Sequence, residues 1–219
     1  MVKIKRFQKV IGAYIENIAG QNRFGFSKTD TEEFFEIPSW INKHGYYAGA
    51  IIHIYDLMNG KVYTPFQLDR NVTYSDIIYN DSYYYFLKAD FNKQFIYLYK
   101  YYPDSLLEEI THLSMEDVNL YNLRLTHGNQ VHITSDDDLF VSYYPERFSL
   151  DLKAEQSVIY IDSDKIYLNE WVEQGIVDDE ITADYQYFDK TILIDKKGNI
   201  LSEEIGSLSQ YLNDEWWLS

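Results

Sequence analysis

Twenty-two tyrosines and twelve phenylalanines in 219 residues, many in short runs beside Ile, Val or Leu, are the feature that most limits how this chain can fold. Aromatic and β-branched side chains suit a pleated, half-buried surface and lose rotamer freedom in a helix. The runs 51–55, 82–87, 94–99 and 157–161 are bounded by Asn, Asp, Gly or Pro, so they read as strands. Turn signals recur between such runs: Asn59-Gly60, Pro103-Asp104, His127-Gly128-Asn129, Asp162-Ser163-Asp164 and Lys197-Gly198-Asn199. The chain is expected to be mostly β.

An internal repeat sharpens this. Residues 97–110 line up with 139–152, where Tyr101-Tyr102-Pro103-Asp104 returns as Tyr143-Tyr144-Pro145-Glu146, 42 residues on. A third copy covers 192–205, its Glu203-Glu204-Ile205 repeating Glu108-Glu109-Ile110 after 95 residues. A fainter fourth copy is 53–63. Each has the form apolar strand, polar turn, second strand, which is a hairpin. Further strand candidates, 83–88 and 130–133, precede two copies.

Three or four strands per unit, at a spacing of 42 to about 47 residues, resembles the blades of a β-propeller. Neither a Gly-His…Trp-Asp signature nor a kelch Gly-Gly pair is present, so no named family follows. The resemblance implies one β-rich domain over 1–219, with units near 45–81, 82–128, 129–175 and 176–219. A β-sandwich or an open barrel is the alternative. In the alignment Leu98, Phe140 and Leu193 share one strand position, so all three are expected in the core.

Helix is expected in two short places. Segment 30–35 opens on Asp30-Thr31-Glu32-Glu33, with Asp30 or Thr29 as cap, and Pro38 ends it. Segment 169–174, before Gly175, could make one or two turns. The basic start through Arg6 leads into no apolar run, because Gln8, Lys9 and Glu16 intervene. No window approaches the roughly 18 apolar residues of a membrane span. Cysteine is absent, which excludes disulfides and thiolate chemistry and suits a reducing compartment. The reading is a soluble, cytoplasmic protein. Nineteen Lys and Arg against 35 Asp and Glu give −16, which disfavours nucleic-acid and membrane-surface partners.

Catalytic signatures are missing. No Gly-x-Ser-x-Gly elbow, P-loop or dinucleotide Gly-x-Gly-x-x-Gly occurs. His53 and His132 sit in apolar strands, where a lone histidine is a hydrogen-bonded structural residue. His127 lies five residues from His132 without the spacing of a zinc site. The acid clusters Asp136-Asp137-Asp138, Asp162-Ser163-Asp164 and Asp178-Asp179-Glu180 lack the EF-hand pattern and read as solvated turns. No metal and no cofactor are expected.

What remains is aromatic excess. Tyr101-Tyr102, Tyr143-Tyr144 and Trp216-Trp217 are the candidate binding residues, since Tyr and Trp bury much area with little rotamer entropy. The Trp pair, next to Asp214-Glu215, is expected to pack on the N-terminal segment around 2–11, where Lys3, Lys5, Arg6 and Lys9 would offset the acids. The leading function is a non-enzymatic acidic β-repeat protein that binds another protein. The alternatives are a carbohydrate-binding or glycoside-active protein, and an acidic immunity-type antagonist of a basic partner. Far-UV circular dichroism is expected to show a strand-dominated spectrum. Helix above about one third of residues, the globular average, overturns this class.

Overall fold

The computed structural model describes residues 4–11, 13–177 and 180–219. The chain is mostly strand, as its aromatic runs imply, and divides into two compact units. The first comprises Met1–Leu125 with Leu212–Asp214, and the second Thr126–Tyr211 with Glu215–Ser219.

In the first unit β1 (Glu16–Asn17), β2 (Phe24–Lys28), β3 (Ile52–Asp56) and β4 (Val62–Tyr63) form one sheet in that order. Between β2 and β3 lies α1 (Ile37–His44). A second sheet is built from β5 (Val72–Tyr74), β6 (Ile78–Asn80), β7 (Tyr83–Asp90), β8 (Phe95–Tyr102) and β9 (Leu106–Ser114). Phe24, Ile52 and Ile54 of one sheet share a single buried cluster with Val72, Tyr74, Phe86 and Tyr101 of the other, as two inward faces of a sandwich do.

The second unit is organised by one eight-stranded sheet. Its strands are β10 (Arg124–Gly128), β11 (His132–Asp136), β12 (Phe140–Tyr144), β13 (Phe148–Leu150), β14 (Gln156–Asp162), β15 (Lys165–Val177), β16 (Glu180–Asp195) and β17 (Ile200–Ile205). Their order is β13-β12-β11-β10-β14-β15-β16-β17, with β10 and β14 parallel. Phe140 of β12 and Leu150 of β13 are buried in the same cluster as Leu168 of β15 and Ile192 and Ile194 of β16. Strands near opposite ends of the order therefore meet, which requires the sheet to curl on itself. A separate ribbon pairs β18 (Leu208–Gln210) with β19 (Trp216–Leu218).

All four repeat copies are hairpins: β3–β4, β8–β9, β12–β13 and β16–β17. They are dealt into sheets of four, five and eight strands, two of them in the last, rather than equal blades. The aligned segments thus share the hairpin form, in sheets of unequal size.

Both helix expectations need correction. Pro38 sits in the first turn of α1 and opens it, because a first-turn residue has no helical partner for the N–H that proline lacks. Residues 34–36 are only a turn. Segment 169–174 lies inside β15, where pairing with β16 overrides its weak helical propensity.

Leu98 and Phe140 are buried as expected, but Leu193 is only half-buried, and Ile192 and Ile194 take the inward positions. The extra residue of the β16–β17 bulge is Leu201, whereas in β8–β9 it is Ile110. Aligning the two hairpins on their common Glu-Glu-Ile therefore sets their first strands out of step by three residues, Glu109 pairing with Tyr99 but Glu204 with Thr191, and an odd offset exchanges the faces.

The C-terminal expectation also changes. Trp216 packs edge-on against His127 and Tyr160, at 5.1 and 5.2 Å, while its strand pairs with β18. The N-terminal segment has other partners: Gln8 N–H donates to Gly60 O, and Phe7 packs on Tyr55. Val2 and Lys3 lie outside the described residues. Within the first unit the Asp214 carboxylate accepts from Asp81 N–H, and Asp214 N–H donates to Gly20 O. No helix among the described residues is long and apolar enough to cross a membrane.

Truncation separates these positions. Leu98→Ala and Phe140→Ala should each cost roughly 2–5 kcal/mol in chemical denaturation. Leu193→Ala should cost about 1 kcal/mol, near the average for point substitutions. Equal losses at Leu193 and Leu98 would contradict the bulge placement.

Candidate interaction site

Pairing between β15 and β16 runs without interruption from Lys165↔Asp195 to Gln174↔Gln186, and that register sorts side chains onto two faces. Directly paired residues share a face, and alternation exchanges the faces at each step. Leu168↔Ile192 and Glu170↔Lys190 fall on the inner face of the curl. Trp171↔Asp189 and Glu173↔Tyr187 fall on the outer face.

The inner face lines a groove of about 530 Å³, within the size range of ligand sites. Its floor is Leu150, Leu168, Ile192 and Ile194, and its rims come from both ends of the strand order, β13 on one side and β17 on the other. Four lysines, 153, 190, 196 and 197, also line it. The Glu170 carboxylate accepts from Gln156 Nε2 and lies 3.6 and 3.5 Å from the ammoniums of Lys153 and Lys190. Burial pushes this carboxyl up, but Gln156 and the two lysines outweigh it and hold it below the usual range. Lys190 also donates to Glu203 at 3.1 Å, and Lys196 pairs with Glu146.

On the outer face the Trp171 and Tyr187 rings stack at 4.8 Å, 42 % and 61 % exposed. Tyr185 donates to Glu173 Oε1 at 2.6 Å and lies beside Tyr187. Asp189 accepts from Asn169 Nδ2. The stacked rings therefore share their face with the Glu173 and Asp189 carboxylates.

The residues singled out from sequence are scattered. In the first unit, Tyr101 is buried in the core and its hydroxyl is pushed up above the tyrosine range by burial. Tyr102 is half-buried against Phe24 and Tyr84. In the second unit, Tyr143 donates to or accepts from Ser135 Oγ at 2.8 Å, with the Arg147 guanidinium 5.2 Å from its ring. Tyr144 is half-buried at the end of β12. Trp217 is exposed, its indole N–H donating to Glu215. The strand histidines are hydrogen-bonded, His53 to Thr64 Oγ1 and His132 to Ser142 Oγ. Among the described residues no three His, Asp or Glu are grouped to hold a metal ion; Asp178 and Asp179 lie outside them.

Sequence reading missed Trp171, Tyr185 and Tyr187. The signal was their two-residue spacing along an unusually long hairpin, hidden by reading 169–174 as helix. It also missed how charge divides. The first unit has 13 Lys and Arg against 16 Asp and Glu, whereas the second has six against 19, a formal −13. Four of those six cations line the groove, which leaves Arg147 and Lys165 for the rest of the unit.

No protein-family model matches the chain, and no curated protein does.

Burial, with help from Lys196 and against Glu146, pushes the His132 imidazole down to about 4. Unfolded, it binds a proton near 6.5, so unfolding takes up a proton between these values. Stability is then fully present above about pH 6.5 and is lost as pH falls towards 4, by up to about 3 kcal/mol. Urea denaturation at pH 7 and pH 4.5 should show a smaller acid loss for His132→Gln than for the native chain. Identical losses would mean that His132 titrates normally.

Proposed function

We propose that this protein is a non-enzymatic binding protein that docks another protein on the sheet of its second unit. The Trp171–Tyr187 stack supports this most directly. Exposed, prearranged aromatic rings lose little entropy on binding, and Trp and Tyr dominate the energetics of interfaces. Tyr143, Tyr144, Trp216 and Trp217, in the same unit, are proposed as further contacts, and Tyr102 as one in the first unit. Tyr101, spent in the core, serves by positioning its neighbours. The absence of catalytic sequence motifs fits a binding role.

The concentration of charge in the second unit favours a narrower second reading, an antagonist that covers the basic surface of its partner. Binding of that kind weakens steeply with salt.

A Trp171→Ala/Tyr187→Ala chain should fold with a stability change of about 1 kcal/mol or less, since both rings are solvent-exposed. Used as bait beside the native chain, it should lose a discrete protein captured by the native form. Capture that is unaffected by the double substitution overturns the proposal. Glycan-array binding that depends on the same two rings would replace it with the carbohydrate reading.

A further inference from the structure

The strand β17 ends the order of its sheet, and no other strand among the described residues pairs with its outer side. All six of its residues are exposed, with Ile200, Leu201 and Ile205 at 59 %, 51 % and 75 %. Edge strands normally hide such a row, because unpaired N–H and C=O groups beside large aliphatic side chains recruit another strand. Here the edge is also one lip of the groove, Ile200 and Glu203 lining it.

The pairing shows which backbone groups are free. Gly206 N–H donates to Asp189 O at one end of the ladder, and Asp195 N–H to Asn199 O at the other. In an antiparallel pair, hydrogen-bonded and non-hydrogen-bonded positions alternate. Counting inward from both ends, past the bulge at Leu201, places 191↔204 and 193↔202 as bonded pairs and 190↔205 and 192↔203 as non-bonded ones. Glu203 and Ile205 therefore turn their N–H and C=O groups to the open edge.

We infer that β17 accepts an extended segment of a partner protein as an added strand, with apolar side chains on its inner face and basic ones on its outer face. This rests on the protein-binding reading and names its partner. The inner preference follows from the groove, whose floor is Leu and Ile. The outer preference follows from Glu204, Asp189 and Glu173, which share the outward face. Charge also decides against a second copy of this chain. Joining two β17 edges would bring Glu203 and Glu204 of each copy together, and with them two units of −13.

The test uses the full chain and a labelled, end-capped peptide of sequence VKVKVKV, with VEVEVEV as control, followed by fluorescence polarisation at low and physiological salt. The native chain should bind the lysine peptide, more weakly as salt rises, and should not bind the glutamate one. Ile205→Pro deletes an outward N–H without removing a ladder bond, and proline is tolerated at such edge positions. It should weaken binding about tenfold or more, the loss of a backbone hydrogen bond with its alignment. Ile205→Ala, which keeps the N–H, should weaken it less. Equal affinity in the native and Ile205→Pro chains overturns strand addition, as does equal binding of both peptides. Sedimentation showing a native dimer that Ile205→Pro dissolves would assign the edge to a second copy instead. No peptide binding, while Trp171→Ala/Tyr187→Ala still abolishes capture of a partner, would overturn the edge and leave the protein-binding reading standing. Loss of neither would remove both.

Discussion

The register of the β15–β16 pairing is the constraint on which the second unit depends. Because side chains alternate with period two, a slip of one residue would exchange its faces completely. A slip of β15 would turn Trp171 into the groove and part Glu170 from Gln156 and Lys153, and a slip of β16 would turn Tyr187 inward and part Lys190 from Glu170. What holds the register lies at the base of the hairpin. Ile166, Leu168, Ile192 and Ile194 are nearly inaccessible and pack with Phe140, Leu150, Val158 and Ile161. A slip would expose the two such side chains of the strand that moves, and at roughly 1.5–3 kcal/mol each the correct pairing wins by several kcal/mol. The exposed half of the hairpin inherits its alignment from this buried half.

The first unit uses its tyrosines differently. Phe24 meets Tyr63, Tyr84 and Tyr102 edge-on, and Phe66 packs against Tyr74, Phe86 and Tyr99. These are core contacts, and Tyr84 and Tyr102 reach Phe24 from the other sheet. Tyr47 shows how a buried hydroxyl is accommodated, donating to the Asp30 carboxylate at 2.8 Å. Burial first, and then this carboxylate, push its phenol above the ordinary range. Much of the tyrosine excess is therefore structural, which is why a turn-adjacent pair such as Tyr101-Tyr102 was a poor guide to a surface site.

The strands and their turns were legible because they depend on local chemistry. Aromatic runs bounded by Asn-Gly, Pro-Asp or Lys-Gly-Asn became hairpins, and the four repeat copies are all of that kind. Sheet membership was not legible. Which hairpin joins which sheet is settled by pairing between residues far apart in sequence, such as His127 with Tyr160. Bulges were equally hidden, since neither Ile110 nor Leu201 carries a mark that it is the unpaired residue. The sign of Pro38 was misread because the same missing N–H that breaks a helix interior suits its first turn. The aromatic face at Trp171 required both corrections at once, strand for helix and pairing for repeat.

Charge supplies the last link between architecture and role. A total of −16 spread evenly would say only that the protein stays soluble. Concentrated as −13 in one unit, it gives that unit a directional field that its own lysines barely reach. Lys153, Lys190 and Lys196 are held by Glu170, Glu203 and Glu146 along the groove, so their charge is largely neutralised where it stands. Glu173, Asp189 and Glu204 lie on the outer face with the Trp171–Tyr187 stack. Self-repulsion there works against the compact state, so a folded chain keeps such a surface at some expense in stability. The proposed cationic partner would relieve that repulsion on contact. In the proposed complex, acidity, exposed rings and an open edge would act together: the field would bring a basic segment near, the rings would hold it, and the outward N–H and C=O groups of Glu203 and Ile205 would fix its direction.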